Sequence, residues 1–275
     1  MISAPDRYVV VGNPVAHSKS PMIHAAFAEA TGQSMTYERL LAPRGGFAES
    51  MARFAAEGGK GANVTIPFKL DAFALARDKS ERATAAGACN TLAWRGDHWY
   101  GDNTDGAGLL RDLVHNLGVA IAGRGLLVLG AGGAARGILL PLLAQRPRAL
   151  VLVNRTAERA SALAAEFADR GPVRASAPSA LSNQRFDVVI NATSVGLGGE
   201  VPRGLWPDRL FASGSTAYDL VYASEQTPFV AWALAQGAQR AADGLGMLVE
   251  QAAESFLLWR GVRPPTAPVM ALMRP

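Results

Sequence analysis

The sequence predicts an α/β protein in two domains, and three observations carry that reading. Across residues 8–64, short apolar runs and helical patterns succeed one another as strand, helix, strand, helix, strand. At residues 130–136 (GAGGAAR) a glycine-rich turn follows an apolar run and opens a helix. Beyond it, strand and helix keep alternating through the second half. Such alternation implies mostly parallel sheets. The 275 residues exceed one typical domain, and 49% of them are apolar, enough to fill two cores.

In the first half, residues 8–11 (YVVV) read as the first strand. Ser20 then reads as the cap of a helix with Pro21 in its first turn; Ile23, Ala26, Phe27 and Ala30 recur at helical spacing, and Gly32 ends it. A second helix carries Phe47, Met51, Phe54 and Ala55 and stops at Gly58-Gly59. A strand at 61–64 feeds TIPFK at 65–69, where Pro67 suits the start of a further helix to about Ala76, with Lys69 in its first turn. Residues 89–94 and 98–101 form a predicted hairpin about Arg95-Gly96-Asp97. A long helix with Leu109, Leu110, Leu113 and Leu117 follows DNTDG (102–106) and bridges to the second half.

There the strand candidates are 126–129, 149–153, 173–175, 187–191, 215–219 and 239–242, and six strands fit a Rossmann-type doubly wound nucleotide domain. Residues 244–260 read as a closing helix, apolar at Leu245, Leu248, Ala252, Phe256 and Trp259. The expected division is a substrate domain of mostly parallel sheet at 1–104, completed by helices at 246–275, and a dinucleotide domain at 105–245.

The glycine-rich turn names a cofactor. Gly130, Gly132 and Ala135 follow G-x-G-x-x-A, which bends the backbone tightly and brings it to a pyrophosphate held at the helix N-terminus. Where an NAD site carries a carboxylate for the ribose, this chain has Asn154 and Arg155, with Arg159 one turn on. A carboxylate repels a 2′-phosphate and guanidinium groups hold one, so NADP(H) is expected rather than NAD(H).

Composition excludes other classes. The formal net charge of +4 comes from scattered arginines, and a nucleic-acid track would want a basic stripe. The uncharged stretch at 125–135 is too short to span a bilayer, and no secretory signal is evident at residues 6–14, so a cytoplasmic protein is expected, with neither a nucleic-acid nor a membrane partner and as a monomer or homodimer. A single cysteine, Cys89, excludes an internal disulfide and a thiolate zinc cage; no metal is expected.

Reduction of a ketone beside a nicotinamide needs a proton donor. The histidines at 17, 24, 98 and 115 and lysines at 19, 60, 69 and 79 supply the inventory. His24 and His115 fall within helices and His98 borders a turn, where packing or solvation accounts for them. At a helix N-terminus the dipole opposes the Lys69 ammonium, whereas a neighbouring carboxylate would hold it. Asp105, at the start of the bridging helix, is the natural partner. On these grounds alone Lys69 is equally a solvated surface lysine, Asp105 a plain first-turn acid, and Ser18 and Ser20 only caps; yet a helix start with two hydroxyls also seats a substrate carboxylate.

Nine segments in order resemble the shikimate dehydrogenase family over essentially the whole chain: GNPVAHSKSP (12–21), NVTIPFK (63–69), GACNTL (87–92), GDNTDG (101–106), GAGGAARG (130–137), NRT (154–156), NATSVG (191–196), YDLVY (218–222) and DGLGMLVEQA (243–252). The resemblance implies NADPH-dependent reduction of 3-dehydroshikimate to shikimate, with Lys69 and Asp105 as the catalytic pair. It implies that Ser18 and Ser20 hold the substrate carboxylate, that Asn63, Thr65, Asn90 and Gln251 bind ring hydroxyls, and that Tyr222 lines the same pocket. It places the pyrophosphate on Gly132, Gly133 and Ala134, and the 2′-phosphate among Asn154, Arg155, Thr156 and Arg159. Thr193 would flank the cofactor, and Gly244 and Met247 would meet the nicotinamide.

Two rivals are a quinate/shikimate dehydrogenase of dual specificity, against which Ser18, Ser20 and Arg155 weigh, and a non-catalytic NADP-binding sensor, against which the presence of both Lys69 and Asp105 weighs. A short-chain dehydrogenase would need Tyr-x-x-x-Lys, and no tyrosine here is followed by lysine four residues on.

Overall fold

The computed structural model describes residues 4–193 and 206–274. The chain divides into two compact units, Met1–Gly108 with Val249–Pro275, and Leu109–Leu248.

In the first unit, β1 (Asp6–Gly12), α1 (Ser20–Thr31), β2 (Met35–Leu41), α2 (Phe47–Ala56) and β3 (Gly59–Val64) realise the predicted alternation. They are followed by α3 (Lys69–Leu75), β4 (Asp78–Lys79), α4 (Glu81–Ala86), β5 (Thr91–Trp94), β6 (Trp99–Asp102) and the start of α5 (Asp105–Arg111). The six strands run in the order β2-β1-β3-β5-β6-β4. Strands β1, β2 and β3 are parallel, β5 runs antiparallel to β3, and β6 antiparallel to β5. The β3–β5 register sets Asn63 directly opposite Thr91. One face of the sheet packs Val9, Val11, Val64, Phe47, Met51, Phe54 and Phe68 into a core, each large side chain contributing about 1.5–3 kcal/mol by burial. On α1, Phe27 meets Phe256 edge-on, and Trp259 stacks on Tyr8 while donating its indole N–H to Leu92 O at 3.0 Å.

The second unit holds β7 (Gly125–Leu129), α6 (Gly133–Ala144), β8 (Ala149–Val153), α7 (Ala157–Glu166), β9 (Val173–Ala175), β10 (Phe186–Asn191), β11 (Phe211–Asp219), α8 (Pro228–Ala235) and β12 (Arg240–Ala242). All pairings are parallel, and the order β12-β11-β10-β7-β8-β9 is that of a doubly wound nucleotide-binding sheet. Helix α9 (Leu245–Arg260) starts in this unit and ends in the first, where α10 (Ala267–Met273) follows. Among the described residues no helix is long and apolar enough to cross a membrane.

Three local expectations are corrected. The bridging helix is not continuous: α5 ends at Arg111 and Asp112–Asn116 forms a π-helical turn. The turn carries the buried Asp112 carboxylate, which accepts a hydrogen bond from the Tyr218 hydroxyl at 2.6 Å and one from Asn116 Nδ2 at 2.8 Å. Gly246 leaves room for it, since a Cβ there would lie 2.2 Å from the carboxylate. Ser20 is not the cap of α1; Lys19 occupies that position, while Ser18 Oγ receives the Ser20 N–H at 3.3 Å. Short elements without a readable period, β4, α4 and a 3-10 turn at Pro178–Leu181, were not anticipated.

Candidate active site

Lys69 is the first residue of α3 and Asp105 the first of α5, and Lys69 Nζ donates to Asp105 Oδ2 at 2.6 Å. The lysine side chain is 35% exposed and the carboxylate 15%, so the pair is accessible from one side and sheltered on the other. The second oxygen, Oδ1, accepts from Asn90 Nδ2 at 2.7 Å. The start of α5 favours a carboxylate at this position, and the Asp105 N–H is itself met by Asn103 Oδ1 at 3.2 Å.

Around the pair lies a buried polar field. Asn90 Nδ2 also reaches Thr104 Oγ1 at 2.9 Å and Gln251 Oε1 at 3.3 Å. Asn63 Nδ2 donates to Ser255 Oγ at 2.9 Å, and Asn63 Oδ1 accepts from the Tyr37 hydroxyl at 2.7 Å and from His24 Nε2 at 3.1 Å. Ser18 and Ser20 share a 3.2 Å hydroxyl contact, and Ser20 joins the field through the Tyr37 hydroxyl. Thr65 is half-buried just before α3 and donates its N–H to Val11 O. The structure thus joins Lys69, Asp105, Asn90, Gln251 and Asn63, and separately Ser18, Ser20 and Tyr37 with Asn63, in one unit.

His24 is the floor of this field. It is fully buried, stacked 4.2 Å from Tyr37, and burial pushes its imidazole down to about 3. The neutral ring therefore places its hydrogen on Nε2, facing Asn63 Oδ1, and Nδ1 is without a partner. Between its unfolded value near 6.5 and about 3 the unfolded chain binds a proton that the native ring refuses. The stability tied to neutral His24 is present in full above pH 6.5 and lost as pH falls, with a slope approaching about 1.4 kcal/mol per pH unit. His24→Gln is expected to flatten the decline in urea-unfolding free energy between pH 6 and 4; an identical decline in both proteins would refute this. Cys89 is buried too, and burial pushes its thiol up to about 12, leaving it unreactive.

In the second unit a cleft of about 530 Å³ opens at the end of β7, lined among others by Gly130, Gly132, Asn154, Arg155, Thr156, Arg159 and Thr193. Gly130 holds φ at +115°, and a Cβ on it would sit 2.8 Å from the Ala192 carbonyl oxygen. By contrast a Cβ on Gly132 or Gly133 would meet nothing within 4 Å, so the protein's own packing does not demand glycine there. The residues fit a dinucleotide: exposed amides opening α6 for a pyrophosphate, and exposed Arg155 and Arg159 across the cleft for a further phosphate.

Comparison with known proteins gives this geometry its context. The model described as shikimate dehydrogenase substrate binding domain matches residues 10–92, shikimate / quinate 5-dehydrogenase matches 112–196, and shikimate 5′-dehydrogenase C-terminal domain matches 244–274. A shikimate dehydrogenase (NADP(+)) of Aromatoleum aromaticum is 56% identical over 272 residues, covering 98% of this chain and 97% of its own. The chain belongs to the shikimate dehydrogenase family. Its fold matches the crystal structure of an Ael1 enzyme from Pseudomonas putida, with TM-score 0.93, 45% identity and 98% of each chain covered. It also matches shikimate 5-dehydrogenase from Thermus thermophilus in complex with NADP(H) and shikimate, with TM-score 0.84, 33% identity and 97% of each chain covered.

Against the family pattern, Gly133 and Ala134 open α6 beside the cleft without lining it. Tyr222 is half-buried after β11. Gly244 donates its N–H to Val221 O at 3.0 Å, and Met247 donates its own to the Tyr218 hydroxyl at 3.2 Å; neither belongs to the cleft lining. Ser194, Val195 and Gly196 of the NATSVG segment lie outside the described residues. Sequence reasoning missed Pro178 and Trp206 in the lining, which no motif flags, and Tyr37, Thr91 and Ser255 in the polar field. Alternation marks the last three only as strand or helix positions.

Proposed function

We propose that this chain is an NADP-dependent shikimate dehydrogenase that reduces 3-dehydroshikimate to shikimate and runs the reverse reaction. The observation that carries the assignment of roles is the 2.6 Å Lys69–Asp105 contact within a field of amides and hydroxyls. Bound NADPH supplies the hydride to the carbonyl carbon. As the carbonyl oxygen gains charge, the Lys69 ammonium gives it a proton, and Asp105 holds Nζ in line and stabilises its charged form. In the oxidative direction neutral Lys69 takes the proton back. Ser18 and Ser20 receive the substrate carboxylate, Asn63, Thr65, Asn90 and Gln251 meet ring hydroxyls, and Tyr222 lines the same pocket; an analogue lacking one hydroxyl leaves a buried partner unpaired, which gives discrimination.

Gly130, Gly132, Gly133 and Ala134 would hold the pyrophosphate, and Asn154, Arg155, Thr156 and Arg159 the 2′-phosphate. Thr193 would flank the cofactor, and Gly244 and Met247 would meet the nicotinamide. Residues 1–104 with 246–275 serve the substrate and 105–245 the cofactor. The enzyme works in the cytoplasm as a monomer or homodimer; a lone thiol kept buried suits a reducing compartment.

The test is steady-state turnover with 3-dehydroshikimate and NADPH, followed by kcat/KM for shikimate and quinate, each with NADP+ and NAD+. Shikimate with NADP+ is expected to be the preferred pair. No loss of nicotinamide absorbance would leave only a nucleotide-binding role, and equal kcat/KM for quinate would make the enzyme one of dual specificity.

A further inference from the structure

We propose that Thr91, a residue too deeply buried to touch a substrate, is a positioning residue that aims the Asn90 amide at Asp105 and so sets the catalytic pair. The inference rests on the reading of Lys69 and Asp105 as the proton-handling pair.

The direction of every hydrogen bond along this path follows from its chemistry. The Thr104 backbone N–H can only donate, and its partner at 2.8 Å is Asn90 Oδ1, which fixes the amide and leaves Nδ2 facing Asp105 Oδ1. Thr91 Oγ1 lies 2.9 Å from the same Asn90 Oδ1, and only the threonine has a hydrogen to place there. With that hydrogen committed, a lone pair of Thr91 receives Asn63 Nδ2–H at 3.2 Å, and Ser255 Oγ lies 2.8 Å away with its one hydrogen shared between Thr91 Oγ1 and Gln251 O. Asn63 Oδ1 then faces two donors, Tyr37 and His24. A single directed path therefore runs from the His24–Tyr37 stack through Asn63, Thr91 and Asn90 to Asp105 and Lys69. Thr91 sits between the two amides of the path with a single hydrogen to give, and it has no solvent exposure. The sheet makes the path possible, because Asn63 and Thr91 are register partners and Thr91 and Asp102 are partners on the other side.

Thr91→Val keeps the shape and removes the hydroxyl. Both amides are left a partner short, Asn90 Oδ1 keeps Thr104 alone to hold it, and the aim of Nδ2 at the carboxylate that holds Lys69 loosens. We expect kcat for shikimate to fall about tenfold or more with KM for NADP+ unchanged, and Thr91→Ser, which keeps the hydroxyl and loses only the methyl, to return kcat to within about twofold of the parent. A valine protein with parental kcat, or a serine protein as slow as the valine one, overturns the proposal. If the valine protein does not fold, Tyr37→Phe interrupts the same path from its far end: a fall in kcat supports the proposal and a parental kcat overturns it. Asp105→Asn separates the two levels. If it keeps kcat, the reading of the pair fails; if it loses kcat while Thr91→Val does not, only the role of Thr91 fails.

Discussion

Lys69→Ala is expected to lower kcat by about two orders of magnitude or more while leaving NADP+ affinity intact, the size of effect that loss of a general acid produces. The argument is geometric before it is electrostatic. Lys69 is the only cation hydrogen-bonded to Asp105 among the contacts described, and its side chain is 35% exposed. Truncation removes the proton and leaves Asp105 with the Asn90 contact alone, so the carboxylate faces a developing alkoxide with nothing between them. The cofactor cleft lies in the other unit, built from residues 129–206, which is why binding of NADP+ should survive. Stopped-flow or steady-state kinetics with shikimate, together with NADP+ titration by fluorescence, reads both quantities. A mutant with parental kcat and only a raised KM for shikimate would make Lys69 a binding residue and remove it from the chemistry.

The fold was legible where hydrophobic period and punctuation agree. The strands of the second sheet fall close to their expected positions, with β7, β8 and β10 each an apolar run of parallel-sheet length, and Gly130 fixes the turn that starts the nucleotide site. What could not be read shares one cause, dependence on distant residues. The π turn at Asp112 answers to Tyr218, 106 positions away, and to the space left by Gly246. Strand β11 begins at Phe211, four residues before its expected start, because its pairing with β10 shifts register after Phe186, where the polar SGS stretch of residues 213–215 interrupts the apolar run. In the site, Lys69 and Asp105 were visible as a donor and an acid at helix starts, but their meeting was a geometric fact for the structure to supply. Asn63, Asn90 and Thr91 all stand in segments that carry the family resemblance, but nothing in the sequence shows that the Thr91 hydroxyl bridges the two amides. Ser20 shows the converse, a residue whose local pattern suggested a cap and whose hydroxyl instead joins Tyr37 and Ser18.

Arg155→Ala should narrow the preference for NADPH over NADPH's dephosphorylated counterpart NADH by about 2 kcal/mol, some thirtyfold in the ratio of kcat/KM values. Arg155, in the loop after β8, and Arg159, in the first turn of α7, both line the cleft, and Asn154 Nδ2 donates to Thr156 O at 2.9 Å within that loop. Among the described residues no carboxylate lines the cleft there to repel a 2′-phosphate or to grip a free ribose hydroxyl pair. Both arginines are exposed, and water screens part of their attraction, which is why the expected effect sits at the lower end of the range for charge-assisted bonds rather than above it. The loss should fall on NADPH alone, since NADH offers no phosphate to lose contact with: kcat/KM for NADPH drops and that for NADH stays level. Raising the salt concentration should shrink the same gap in the parent enzyme by screening, and shrink it less in the mutant. An unchanged preference in Arg155→Ala would move the phosphate contact to Arg159, and an unchanged preference in the double mutant Arg155→Ala, Arg159→Ala would remove this loop from cofactor selection altogether.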